Sequence, residues 1–269
     1  MWAVPAGLLG CWLKRRTATP CDVWVLGSDL WKVRMVPFLG RALLQTVFGC
    51  ADRLFADGLG LCRDVEKVAR RVCEFLPSSR KLPSPRVDHV SRRGGRLGLL
   101  FVGRYHHNKG PDLLLRALGK LSEGARGQLE VRMYGVGPLR PQLMSLLAFN
   151  NLDRVVKIGD GIGAQELADE LAWADYLVIP SRIESIPVVF SDALQVGTPV
   201  IVTPVGDLPG LVKEHRCGIV AENQDPQSLA DAIEKVLCYE NRDVFAENSM
   251  NLARKFLVDN SVRQWLEGM

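Results

Sequence analysis

The chain has little from which to build a disulfide or metal scaffold. It carries seven cysteines in 269 residues, an odd number, and no Cys-x-x-Cys. Free thiols in a reducing cytoplasm fit that usage better than a disulfide framework or a zinc site. Histidine is scarce, at four residues, and no His/Asp/Ser spacing supports a hydrolytic constellation. The apolar part of the opening segment is too short to span a bilayer as a helix. The opening "MWAVPAGLLGCWLKRR" is short, and its positive charges follow the apolar run, whereas a signal peptide has them in front. It reads as a helix or strand of the fold, with an interfacial segment as the alternative. The net charge of +4 comes without a concentrated basic stripe, so nucleic-acid binding is not expected.

What is present is globular: 47% hydrophobic and 24% charged residues, enough chain for one large or two modest domains. Basic residues thicken at Arg80, Lys81, Arg86, Arg92, Arg93 and Arg96. They read as a solvated linker, or as a surface that meets anionic lipid or an anionic substrate. "PSSRKLPSPRVDHVSRRGG" (77–95) is rich in Pro, Ser, Gly and Arg, lacks apolar periodicity, and is the best linker candidate. It divides a region 1–95 from a region 96–269.

Beyond the linker, apolar runs alternate with amphipathic stretches. Strands are expected at 97–103, 129–135, 155–159, 175–181, 199–203 and 218–222. Helices are expected at 110–121, 139–150, 164–174, 187–196 and 226–237. Such alternation implies an α/β fold with a parallel sheet covered on both faces, which binds ligands at the carboxyl ends of its strands. Before the linker only about two strand–helix units are legible: a strand at 22–31, a helix at 40–51, a strand at 53–58 and a helix at 61–72.

Two stretches carry chemistry. In "FVGRYHHNKG" (101–110) a buried strand ends at Gly103, where a side chain would obstruct close approach. Arg104 and Lys109 then flank a polar loop leading into a helix, an arrangement suited to a diphosphate or, with no ligand, to an ordinary loop. In "SRIESIPVVFSDALQVGTPVIV" (181–202) Pro187 fits the first position of a helix. Ser185 or Ile186 would then be its cap, and Glu184 would stand just before it. Asp192 falls where the polar and apolar sides of that helix meet. It reads as a surface carboxylate bonding a neighbouring turn, or, with Glu184, as an acceptor for ligand hydroxyls such as those of a sugar or ribose.

Together these stretches resemble the retaining, nucleotide-sugar-dependent glycosyltransferases of the GT-B fold (glycosyl transferases group 1). The family's Glu-x7-Glu signature reads Glu184-x7-Asp192 here, and "LLFVGRYHHNKGPDLLLRAL" and "MYGVGPLRPQL" are similar to its other motifs. The resemblance implies a Rossmann-like C-terminal donor domain over 96–269 and a partial N-terminal acceptor-side α/β domain over 1–95. Arg104 and Lys109 would bind the donor diphosphate, Glu184 the transferred sugar, and Asp192 the ribose. Gly103, Ser185, Ile186 and Val188 would lie close to the donor, Ile162 near the base, and Asp29 in the cleft. No metal or cofactor is implied; no Asp-x-Asp occurs. The donor would be a nucleotide-diphosphate sugar, the acceptor a glycan, lipid or small molecule, and the location the cytoplasm or the cytoplasmic face of a membrane, where peripheral contact stays open.

Two departures stand out. Asp192 is a methylene shorter than Glu. The family often has a His where this chain has Leu26, and its usual first strands and glycine-rich loop have no counterpart before residue 22. That leaves a second reading, a nucleotide or sugar-nucleotide binding module without turnover. A dinucleotide oxidoreductase is disfavoured, because Pro138 and Arg140 break the fingerprint that "GVGPLR" begins.

Overall fold

A computed structural model of the protein describes residues 3–27, 30, 39–86, 95–238, 242–257, 263 and 266. The chain divides into two compact units, Met1–Ser78 and Ser79–Met269.

The first unit holds a parallel three-stranded sheet in the order β1-β2-β3 (Val23–Val25, Leu54–Ala56, Glu74–Phe75). Helices α1 (Ala6–Thr17), α2 (Leu39–Cys50) and α3 (Leu59–Ala69) accompany it. Val23, Val25 and Leu54 of the sheet share a core with Leu44, Val47 and Phe48 of α2 and Leu61 and Val65 of α3. The opening segment, read as helix or strand, is the helix α1. Asp29 lies outside the described residues.

The second unit is a parallel six-stranded sheet. Its strands are β4 (Leu97–Val102), β5 (Leu129–Tyr134), β6 (Val156–Gly159), β7 (Tyr176–Ile179), β8 (Val200–Val202) and β9 (Gly218–Val220), in the spatial order β6-β5-β4-β7-β8-β9. The helices that follow the strands are α4 (Pro111–Lys120), α5 (Glu123–Gly127), α6 (Arg140–Phe149), α7 (Ala164–Trp173), α8 (Val188–Val196), α9 (Leu208–His215), α10 (Pro226–Leu237) and α11 (Arg242–Ala253). β7 is buried along its whole length and β4 along all but its last residue, Val102. Both therefore read as continuous apolar runs, as parallel strands covered on two faces do. The chain starts at β4, builds outward to β6, then returns to β7 on the other side of β4. The order reverses between β4 and β7, and the carboxyl ends of those two strands flank the crevice where such sheets bind ligands.

Two expectations need correction. Pro187 is the N-cap of α8, not its first residue: its ψ of 142° is extended, and the helix begins at Val188. Proline fixes φ but leaves ψ free, so Pro187 can stay extended and the helix is entered one residue later than expected. The second compact unit also takes in residues from Ser79, within the stretch expected to be linker. Gln195 Nε2 donates to the Arg80 carbonyl at 2.8 Å, Leu82 N–H donates to Gln195 Oε1 at 3.1 Å, and Arg86 N–H donates to Asp169 at 2.7 Å. These bonds bind residues 80–86 to α7 and α8.

Candidate functional site

The loops after β4 and β7 meet at the crevice. The first closes as a turn of 3-10 helix, His107–Lys109, that ends on Gly110 in the left-handed region at φ 64°. A Cβ at Gly110 would collide with the Pro180 carbonyl. Glycine there lets the loop after β4 pack directly on the loop after β7. A clasp holds the two loops together. Arg182 N–H donates to the Asn108 carbonyl at 2.8 Å, its Nη1 to the His107 carbonyl at 2.9 Å, and its guanidinium makes two 2.8 Å bonds to Asp112 at the start of α4. Burial alone would raise the Asp112 carboxyl, but the bonds and charge of Arg182 outweigh it and hold the group below its usual range.

The clasp brings the two chemical stretches into contact: Lys109 Nζ pairs with Glu184 Oε2, both side chains being largely buried. Beside them is a cavity of about 250 Å³, whose lining includes Arg80, Gly103, Lys109, Pro180, Pro187 and Val188. Among the described residues no side chain caps α8, and the cavity lies against this helix start, whose first N–H groups lack intrahelical acceptors. Such a start favours an anion. Ser185 Oγ, next to Glu184, is buried and has no hydrogen-bond partner among the described residues.

The sequence candidates are thus partly assembled. Gly103, Lys109 and Val188 line the cavity, and Glu184 adjoins it through Lys109. Arg104 is exposed on the same loop, without an ion-pair partner among the described residues; Ile186 is buried, and Ile162 is half-buried in the loop after β6. The reading of Asp192 as a surface carboxylate is corrected: it is 0% exposed. Both of its oxygens accept from Arg80, Nε at 3.1 and 3.2 Å and Nη2 at 2.6 Å. Burial pushes its carboxyl above the usual value, and Arg80 offsets only part of that.

Sequence reasoning missed Arg80 and the Arg182–Asp112 clasp as site elements. Arg80 was visible only as one of several basic residues, and nothing in the spacing pairs it with a carboxylate 112 positions away. His106 and His107 are exposed, and His106 Nδ1 accepts from Asn108 N–H at 3.3 Å, capping the 3-10 turn. Among the described residues no group of three or more His, Cys, Asp or Glu is placed to hold a metal ion, and no helix is long and apolar enough to cross a membrane.

A parallel sheet whose order reverses between β4 and β7, with a Gly-Arg loop leaving one strand and a Glu-bearing loop leaving the other toward α8, defines a Rossmann-like α/β class. Residues 96–238 match the glycosyl transferases group 1 family, and the chain belongs to it. Among curated relatives it is similar to the D-inositol 3-phosphate glycosyltransferase of a Nocardioides species, 34% identical over 187 residues, which covers 63% of this chain and 40% of the relative. The protein of the same name from Streptomyces avermitilis is 36% identical over 203 residues, covering 68% and 44%. The chain thus spans less than half the length of these two relatives.

Its fold is that of GT-B glycosyltransferases. It superposes on a sucrose-phosphate synthase from Thermosynechococcus elongatus with a TM-score of 0.78 at 21% identity, over 97% of this chain and 70% of that one. With HepE of Anabaena, solved in complex with UDP, the TM-score is 0.77 at 16% identity, over 98% and 75%.

Proposed function

We propose that the second unit binds a nucleoside-diphosphate sugar and that the chain transfers the sugar, with retention, to an acceptor hydroxyl. The observation that carries this reading is the Lys109–Glu184 pair beside a cavity at the uncapped start of α8. The sugar–phosphate C–O bond would break with its electron pair going to the diphosphate, the acceptor oxygen would bond the same carbon from the same face, and the acceptor's hydroxyl proton would pass to the departing diphosphate oxygen. Lys109 and Arg104 would neutralise the charge that grows on the departing diphosphate, and the N–H groups of Val188 and Val189 would add their dipoles. Glu184 would accept from hydroxyls of the transferred sugar, exchanging its bond to Lys109 for bonds to substrate. Ser185 Oγ, buried without a partner among the described residues, would supply one more hydrogen-bonding group there. Structural neighbours solved with UDP and with UDP-glucose support a uridine nucleotide as the first donor to try.

The test is single-turnover transfer from UDP-glucose and other sugar nucleotides to a mixed acceptor extract, beside a direct binding titration. Transfer with retained anomeric configuration supports the reading; failure to bind any nucleoside diphosphate contradicts it. A second reading, binding without turnover, draws on the first unit, whose sheet has three described strands, one of them two residues long. Transfer depends on bringing acceptor and sugar together as if in one molecule, and a misplacement of about 1 Å can cost on the order of a hundredfold. Tight binding with transfer far below the ordinary range of about 1–1000 per second would favour this second reading.

A further inference from the structure

Arg80 belongs to none of the recognised motifs, yet it is the second cation of the cavity. Its side chain is 50% exposed while its partner Asp192 is 0% exposed. Its carbonyl accepts from Gln195 and its guanidinium bonds Asp192 one turn earlier on the same helix, so backbone and side chain are both fixed to α8. A guanidinium has five N–H donors in a planar fork. Asp192 occupies the edge formed by Nε and one side of Nη2, while Nη1 makes no hydrogen bond among the described residues. The same arrangement recurs at Lys109, which Glu184 holds. In both pairs the cation lines the cavity and the carboxylate does not. The cavity therefore presents two cations and an uncapped helix start, a surface suited to an anion.

We propose that Asp192 meets no ligand itself but positions Arg80, and that Arg80 donates through its free guanidinium edge to the diphosphate of the bound nucleotide. The inference rests on the nucleotide reading above. It reverses the polarity of one corner of the site: where the resemblance implies a carboxylate that accepts from ribose, this chain offers a guanidinium that donates. The shorter acid fits that role. It leaves the length of an arginine between helix and ligand, and the planar fork serves Asp192 with one edge and the ligand with the other, which a lysine ammonium cannot do with the same geometry.

The experiment titrates the full chain with UDP and with uridine, which lacks the diphosphate, while ADP and GDP serve as alternative probes. R80Q/D192N removes cation and carboxylate together and so leaves no buried charge unpaired. It should weaken UDP binding about tenfold or more while leaving uridine binding and the melting temperature near those of the parent. D192N alone should cause a smaller loss with UDP, because Arg80 keeps its charge but not its anchor, and R80K should also fall between parent and double variant. Parental UDP affinity in a folded R80Q/D192N variant would overturn the proposal, as would equal losses for UDP and uridine. Parental UDP affinity in D192N would overturn the positioning of Arg80 by Asp192. If the parent chain binds none of UDP, ADP and GDP, the nucleotide reading itself fails and the inference falls with it.

Discussion

Lys109 and Asp192 each sit in an ion pair, but the surroundings make those pairs different in kind. Lys109 and Glu184 keep some exposure, 24% and 17% of their side chains, so each can exchange its partner for substrate. Glu184→Gln should leave the melting temperature nearly unchanged. Without its competing carboxylate, Lys109 should hold bare UDP at least as well as before, while the preference for UDP-glucose over UDP shrinks. Calorimetric titration with both ligands reads this; a large loss of stability with unchanged preference would make Glu184 a structural residue. Asp192 has no such room. Asp192→Glu adds a methylene to a fully buried position and should cost about 1–3 kcal/mol by overpacking, measured by urea unfolding. Two carboxyls also differ in their pH signature. The Asp112 carboxyl lies below its usual value, so its contribution is present above the unfolded value of 3.8 and is lost as pH falls through the folded one. The Asp192 carboxyl is raised above 3.8, so its contribution is present below 3.8 and is lost as pH rises through the folded value. Asp112→Asn should therefore flatten the acid limb of the stability profile, and Asp192→Asn the decline above about pH 4.

The helices and strands of the second unit were largely legible because apolar spacing there follows burial. Helix α10 spans Pro226–Leu237 as the spacing predicts: Asp225 caps it through the Gln227 and Ser228 N–H groups, and Leu229, Ala230, Ile233 and Val236 form its buried face. Helix α9 was not among the spans expected, since Pro209 and Gly210 in its first turn interrupt the apolar spacing. Helix α11 was missed for a different reason: Phe245, Ser249 and Leu252 are buried at helical spacing, but a buried serine breaks the apolar signal. At the site, sequence located both loops but not the clasp between them. The contacts of Arg182 with Asp112 and with the 107–108 carbonyls join segments about 70 positions apart, and periodicity carries no such information. The loop after β4 depends on Gly110. Gly110→Ala should cost about 1–3 kcal/mol through left-handed strain and its collision with Pro180. It should also weaken UDP binding by displacing Lys109, which thermal unfolding and a titration would register together. A Gly110→Ala chain with parental stability would show that the two loops are not packed as described.

At the scale of the whole molecule, the order β6-β5-β4-β7-β8-β9 decides where chemistry can occur. The reversal between β4 and β7 opens the crevice, and the loops that leave those two strands carry Lys109 and Glu184. The strand–helix alternation made this α/β class readable, and the motifs made the family readable. The place of residues 80–86 was not readable, because a Pro- and Arg-rich stretch looks like linker whether or not its hydrogen bonds are satisfied by a neighbouring helix. Lys109, beside the start of α8, is proposed to bind the diphosphate of a nucleotide. The most direct test is calorimetric titration of the full chain and of Lys109→Ala with UDP at low and high salt. The parent should bind, the variant should bind about tenfold more weakly or worse, and the gap should narrow as salt screens the charge. Equal affinity of the two proteins for UDP at low salt would show that Lys109 does not hold the diphosphate.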